Sequence, residues 1–152
     1  MHPVPYLHSC GSNPGHGRTF LSAAESLATV FAAQQWHLVY GGGTVGLMGA
    51  VSSTLIRLSG PRSVHGIVPA ALVEKEQEGL VPAESMFGRT TVVKDMHTRK
   101  ALMAREADAF VALPGGFGTL DEMFEVITWN QLGIHDKPIV VYFSFPHITL
   151  TS

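Results

Sequence analysis

An apolar run, Ala109-Phe110-Val111-Ala112-Leu113, leads directly into Pro114-Gly115-Gly116-Phe117-Gly118, and a helical pattern follows from Leu120. A short apolar run that ends in proline and glycine is typical of a buried parallel strand. The run His37-Leu38-Val39-Tyr40 enters Gly41-Gly42-Gly43 in the same way. Strand, glycine loop and helix in this order predict a parallel sheet whose loops gather at one edge.

The same alternation continues along the chain. Further strands are predicted at residues 4–8, 64–68, 90–93 and 139–143. Helical spacing of apolar residues predicts helices over residues 20–31, 45–58, 96–107 and 120–132. The polar segment 74–79 is interpreted as an exposed helix end and loop. We therefore expect an α/β fold, a Rossmann-like parallel sheet with helices on both faces, forming a single domain over residues 1–152.

Composition excludes several classes of protein. The 152 residues are 45% hydrophobic and 14% charged, so the chain can bury a sizeable core. The net charge of −2 and the lack of a basic stripe argue against a nucleic-acid partner. The single cysteine, Cys10, excludes an internal disulfide framework and indicates a reducing compartment. The apolar runs are too short to span a bilayer, and the N-terminus does not resemble a signal peptide. Both features add to the expectation of a cytoplasmic protein.

Glycine loops at the start of helices are candidate phosphate sites. Backbone N–H groups point out of a helix N-terminus, and glycine lets a phosphate approach them closely. The candidates outside the loop at 115–119 are Ser12, Gly42, Gly43 and Thr44. Glycine is also common in tight turns between strand and helix, so a structural role stays open for the triple glycine. Neither loop follows the spacing of an ATPase or NAD-binding loop, and no histidine or cysteine spacing indicates a metal site.

Charged residues flank the predicted loops. Glu122 follows Thr119 by three residues, which fits a capping box, but it also fits a carboxylate that stabilises a cationic, oxocarbenium-like transition state. Arg99 and Lys100 begin a helix at the same sheet edge, where they could close over a phosphate or a carboxylate. The alternative for both cations is an exposed surface position.

Three motifs together resemble the LONELY GUY family, the cytokinin riboside 5′-monophosphate phosphoribohydrolases. The motifs are Tyr40-Gly41-Gly42-Gly43-Thr44-Val45-Gly46-Leu47-Met48-Gly49, Asp95-Met96-His97-Thr98-Arg99-Lys100 and Pro114-Gly115-Gly116-Phe117-Gly118-Thr119-Leu120-Asp121-Glu122. The resemblance implies hydrolysis of the N-glycosidic bond of N6-substituted AMP, and of AMP itself as a further substrate, to the free base and ribose 5-phosphate. It implies no metal or other cofactor, and a homodimer in which both subunits build the pocket.

Site residues follow from the same resemblance, position by position. Arg99 and Glu122 match the two essential catalytic residues of the family. The substrate contacts implied are Glu84, Met96, Arg99, Lys100, Gly115, Gly116, Phe117, Gly118, Thr119, Leu120, Asp121 and Thr128. Family chains continue beyond the strand at 139–143 with another helix, so this sequence is expected to be short at its C-terminal end. The alternative function is a non-catalytic nucleotide or cofactor carrier on the same fold, for which Arg99 and Glu122 would not be needed.

Overall fold

The computed structural model describes residues 5–9, 18–76 and 80–142 of the chain. Within these residues one parallel sheet runs in the order β4-β3-β2-β1-β5-β6. Its strands are β1 (Pro5–Ser9), β2 (His37–Tyr40), β3 (Val64–Pro69), β4 (Arg89–Val93), β5 (Ala109–Ala112) and β6 (Ile139–Val141). The helices are α1 (Arg18–Gln34), α2 (Gly46–Ser59), α3 (Ala70–Glu76), α4 (Glu84–Phe87), α5 (Met96–Glu106) and α6 (Phe117–Gln131), with a 3₁₀ turn at Pro61–Ser63.

Helices cover both faces of the sheet, which confirms the predicted fold class. On one face, α1 and α2 form a core that includes Phe31 and Leu55. On the other face, Met103 of α5 and Val126 of α6 belong to a second core. Strand β2 supplies both layers, because neighbouring residues of a strand point to opposite faces. Its Leu38 and Tyr40 join the first core, whereas Val39 joins the second.

The topology sets where a ligand can bind. From β1 the chain moves outward through β2 and β3 to β4, and then returns to place β5 on the other side of β1. The strand order therefore reverses between β1 and β5, which pair through Tyr6 and Ala109. In open α/β sheets, ligands bind outside the carboxyl ends of the strands at such a point. Helix α6 begins there, directly after β5.

Predicted and observed elements differ mainly at their ends. Helix α6 begins at Phe117, three residues before the predicted Leu120, because Phe117 is exposed and followed by glycine, so no apolar periodicity marks this turn in the sequence. The short helix α4 and the 3₁₀ turn were not predicted, since elements of three or four residues show no periodicity. The predicted residues Val4 and Phe143 lie outside the described part of the chain. No helix in the described part is long and apolar enough to cross a membrane.

Candidate active site

Arg99 and Glu122 form an ion pair at the carboxyl edge of the sheet. The Arg99 guanidinium on α5 donates through Nη2 to Oε1 of Glu122 on α6. Each side chain is only 12% exposed. A salt bridge at this depth keeps both charges away from water. Removing one side chain would therefore leave the charge of the other uncompensated. The Nε of Arg99 is also buried and has no hydrogen-bond partner among the described residues.

Gly41 provides the space in which the guanidinium lies. A Cβ atom at position 41 would stand 3.2 Å from both Cζ and Nη2 of Arg99. The glycine after β2 therefore lets a cationic plane pack against the backbone of the loop. Gly41 belongs to the triple glycine for which a structural role stayed open, and within the chain it lies against the arginine.

The remaining glycines of this loop are explained by packing. A Cβ on Gly42 would overlap Cγ2 of Val68, and the residue has a φ of 75°, in the left-handed region that favours glycine. A Cβ on Gly43 would overlap Cε of Met48. Packing and backbone conformation therefore explain why glycine is needed at positions 42 and 43. The assignment of Gly42, Gly43 and Thr44 to phosphate binding stays a prediction.

Two glycines at the start of α6, Gly116 and Gly118, differ from Gly42 and Gly43 because there is open space where their side chains would lie. A Cβ atom on Gly116 or Gly118 would meet nothing within 4 Å. Gly116 is also the N-cap of α6, and no side chain caps the helix. The open space and the uncapped N-terminus leave room for an anion at the positive end of the helix dipole.

The capping-box alternative for Thr119 and Glu122 is wrong. Helix α6 starts at Phe117, so Thr119 is its third residue and is buried rather than placed at the cap. Glu122 lies in the second turn, too far along the helix to close a capping box, and its carboxylate contacts Arg99. The carboxylate is therefore available to the site.

Lys100 is held by two carboxylates of α6. Its Nζ lies 2.5 Å from Oδ2 of Asp121 and 2.7 Å from Oε2 of Glu125. Burial of Lys100 lowers its pKa, but the hydrogen bonds to Asp121 and Glu125 act in the opposite direction and leave the pKa raised above its ordinary value. The alternative of an exposed surface lysine is wrong, since the side chain is 19% exposed. Sequence reasoning missed Glu125; its signal was a third carboxylate within two turns of the glycine loop.

Asp95 fixes the start of α5. Its Oδ1 accepts a hydrogen bond of 2.7 Å from the backbone N–H of Thr98, which makes it the N-cap of the helix that carries Arg99 and Lys100. This backbone hydrogen bond holds the pKa of Asp95 below its ordinary value.

Some predicted residues lie apart from the Arg99–Glu122 pair. Glu84 is on α4 and lines a separate cavity of about 540 Å³ with His65, Arg89 and Glu106, at the amino ends of the strands. Thr128 is exposed, donates to the carbonyl of Phe124, and lies about 9 Å beyond Glu122 along the helix axis. Ser12 lies outside the described residues.

Three other predicted contacts are exposed on the first turns of α5 and α6. Phe117 is 91% exposed on the first turn of α6, and Leu120 is partly exposed one turn later. Met96 is the first residue of α5 and is also exposed. In the described part of the chain, no three histidine, cysteine or acidic side chains are grouped to hold a metal ion.

Comparison with known proteins gives the family. The family model described as "Possible lysine decarboxylase" matches residues 48–144. The chain is 52% identical over 140 residues to the "Bifunctional cytokinin biosynthesis protein" of Fusarium pseudograminearum (strain CS3096), covering 85% of this chain and 29% of that protein. It is 48% identical over 130 residues to the "Cytokinin riboside 5'-monophosphate phosphoribohydrolase LOG1" of Arabidopsis thaliana, covering 86% and 58%. The chain thus spans between about a third and a little over half of the length of these relatives.

Solved structures with the same fold include carriers of a cofactor. The "structure of Moco Carrier Protein from Chlamydomonas reinhardtii" superposes with a TM-score of 0.72 at 19% identity, covering 95% of this chain and 79% of that one. The molybdenum cofactor binding protein of Rippkaea orientalis gives a TM-score of 0.69 at 23% identity, covering 93% and 77%. At these identities the likeness shows the fold alone. The family model and the relatives near 50% identity give more: the chain belongs to the LONELY GUY family, the group matched by the "Possible lysine decarboxylase" model.

Proposed function

We propose that this chain hydrolyses the N-glycosidic bond of cytokinin riboside 5′-monophosphates and releases the free base and ribose 5-phosphate. The observation that carries the proposal is the Arg99–Glu122 ion pair, which lies at the sheet edge where ligands bind in this fold. Its support from sequence is the activity named for the relative from Arabidopsis thaliana, at 48% identity.

The loop at 115–119 would bind the 5′-phosphate. Gly116 and Gly118 leave space over the N-terminus of α6, where backbone N–H groups and the helix dipole attract an anion. Binding energy from the phosphate, which does not react, would orient the C1′ atom towards Glu122. The buried Nε of Arg99 would donate to a ligand oxygen near the same point.

Glu122 would act on the sugar. Cleavage of the glycosidic bond develops positive charge at C1′, and a carboxylate with little exposure stabilises that charge strongly. Three chemical roles are open to Glu122: electrostatic stabiliser, nucleophile, or base for the attacking water. Arg99 would hold the carboxylate in place in each of them. No metal or redox cofactor enters this scheme.

We also propose that the chain forms a homodimer and acts in the cytoplasm. Phe117, Leu120 and Phe124 form an apolar stripe along α6, with exposures of 91%, 38% and 59%. Exposed apolar surface of this kind marks an interface in soluble proteins. Because the stripe borders the loop at 115–119, a second copy seated on it would contribute to the pocket. The cytoplasmic location rests on the single cysteine of the chain.

The alternative is a carrier that binds nucleotides or cofactors without cleaving them, a function that the same fold can also support. The hydrolase and the carrier can be distinguished by incubating the protein with isopentenyladenosine 5′-monophosphate and identifying the products. We expect free isopentenyladenine and ribose 5-phosphate, with the nucleoside lacking the phosphate turned over far more slowly. Binding without any cleavage would support the carrier, and equal turnover of nucleotide and nucleoside would rule out the phosphate anchor.

A further inference from the structure

The two carboxylate partners of Lys100 differ in their exposure to solvent. Asp121 and Glu125 are four residues apart on α6 and approach the same ammonium at 2.5 and 2.7 Å. The Asp121 side chain is 62% exposed, whereas that of Glu125 is 25% exposed. The two contacts are similar in length but differ in their access to water.

The two carboxylates would respond differently to loss of the ammonium. Asp121 would be solvated immediately, because most of its side chain already faces water. Glu125 would be left mostly buried beside a second carboxylate, since Glu122 and Glu125 line the same small cavity with Met103, Val126 and Trp129. A buried charge without a partner is strongly unfavourable, and a like charge nearby adds to the penalty. Glu125 is therefore the lasting partner of Lys100 and Asp121 the exchangeable one.

We infer that Glu125 is a positioning residue that keeps the ammonium of Lys100 beside α6, where it binds the anionic group of the nucleotide. An ammonium has three N–H donors, of which two are engaged by the carboxylates. The anionic oxygens of the ligand would accept hydrogen bonds from the third N–H of Lys100 and from the N–H that Asp121 releases. This inference rests on the proposed function, and it assigns to Glu125 a role at the same site.

If only the net charge of the site mattered, removing the charge of Glu125 would have the opposite effect on nucleotide binding from the one that our inference predicts. Removing a negative charge near an anion site should strengthen binding of the anion. If Glu125 positions Lys100, removing its charge should instead weaken binding, because Lys100 then turns towards Asp121 and solvent. A purely structural role would show itself in a lower kcat and melting temperature, through displacement of Glu122.

The test is Glu125→Gln in the full chain, with kcat and KM measured on isopentenyladenosine 5′-monophosphate. We expect KM to rise about tenfold and kcat to stay within about twofold, at an unchanged melting temperature. Glu125→Asp keeps the charge and should hold KM within about threefold of wild type. Glu25→Gln, an exposed position on α1, is the control for loss of one negative charge and should change neither constant.

A double-mutant cycle with Lys100→Met shows whether Glu125 acts through Lys100. In the Lys100→Met background, Glu125→Gln should raise KM no further. An additive rise in KM in the double variant, a lower KM for Glu125→Gln alone, or a loss confined to kcat would overturn the assignment. If the wild type cleaves no nucleotide, the proposed function fails, and the same cycle is measured as AMP affinity by calorimetry. Equal AMP affinity in all four proteins, or no AMP binding by the wild type, would then overturn the role of Glu125 as well.

Discussion

The guanidinium of Arg99 packs against the backbone of Gly41, so closely that a Cβ atom at position 41 would stand 3.2 Å from its Cζ. This separation is shorter than an ordinary contact between carbon atoms. The loop after β2 therefore helps to set the position of a side chain on α5. A glycine of the triple-glycine loop is therefore in contact with the arginine that forms the ion pair with Glu122.

Gly41→Ala should displace Arg99 by a few tenths of an ångström and lower kcat by about tenfold, because small shifts of catalytic groups have large effects on rate. The melting temperature should change little, since Gly41 has no positive φ and the guanidinium can move. Steady-state kinetics and thermal unfolding of the variant test this expectation.

Gly42→Ala is the matched comparison. Here the φ of 75° and the overlap with Val68 should lower the free energy of unfolding by about 1–3 kcal/mol. If Gly41→Ala loses as much stability as Gly42→Ala, or keeps full activity, the contact with Arg99 does not set the geometry of the site.

Glu122→Gln should lower kcat by about 10²–10³-fold, because the neutral amide cannot stabilise a developing cation. The side chain still offers an oxygen to Arg99, so the protein should remain folded. Nucleotide affinity should stay equal or increase, since a negative charge near the phosphate is removed. The measurements are kcat, nucleotide affinity and melting temperature beside Asp108→Asn, an exposed control position that should behave as wild type. Near-normal turnover by Glu122→Gln would leave the hydrolase without its central residue.

Asp95 makes the start of α5 sensitive to acid. Its folded pKa lies below the ordinary value of about 3.9, so its contribution to stability is complete above that pH and is lost as pH falls through the folded pKa. Asp95→Ala should lower the melting temperature by about 2–4 °C at pH 7.

Asp95→Asn keeps an oxygen that can accept from the N–H of Thr98 but does not titrate. It should retain most of the stability at pH 7 and lose less than wild type on acidification. Melting temperatures of the three proteins between pH 7 and pH 3 give the comparison. Identical acid profiles for wild type and Asp95→Asn would show that the cap does not contribute to the pH dependence.

Phe124→Asp should dissociate the proposed dimer, because a charge in a buried apolar interface is unfavourable. Light scattering at micromolar concentration should give about twice the 16.3 kDa chain mass for wild type and the single chain mass for the variant. Val30→Asp, on the exposed side of α1 at 49% exposure, should leave the mass unchanged. A wild type that is monomeric and fully active would contradict a pocket shared between subunits.

Local sequence signals were strong where short-range physics decides the structure. The strand His37–Tyr40 was predicted at its observed bounds, because apolar runs ended by glycine are distinctive in a parallel sheet. Helix α5 was predicted to within one residue, since its start follows the end of β4 closely. The beginning of α6 was not predicted correctly, because its apolar residues Phe117 and Leu120 are exposed and do not belong to a buried periodic face.

The sequence by itself determined the fold class, the family, and the residue types gathered at one sheet edge, because strand and helix periods and the glycine motifs are properties of short segments. The partners of Arg99 and Lys100 depended on the tertiary structure. Those contacts join α5 to α6 across 21 to 25 positions of the chain, and only the packing of both helices on the same face of the sheet brings them together. For the same reason Glu84, close to Arg99 in sequence, lies at the opposite end of the sheet: a whole strand, β4, separates the two positions.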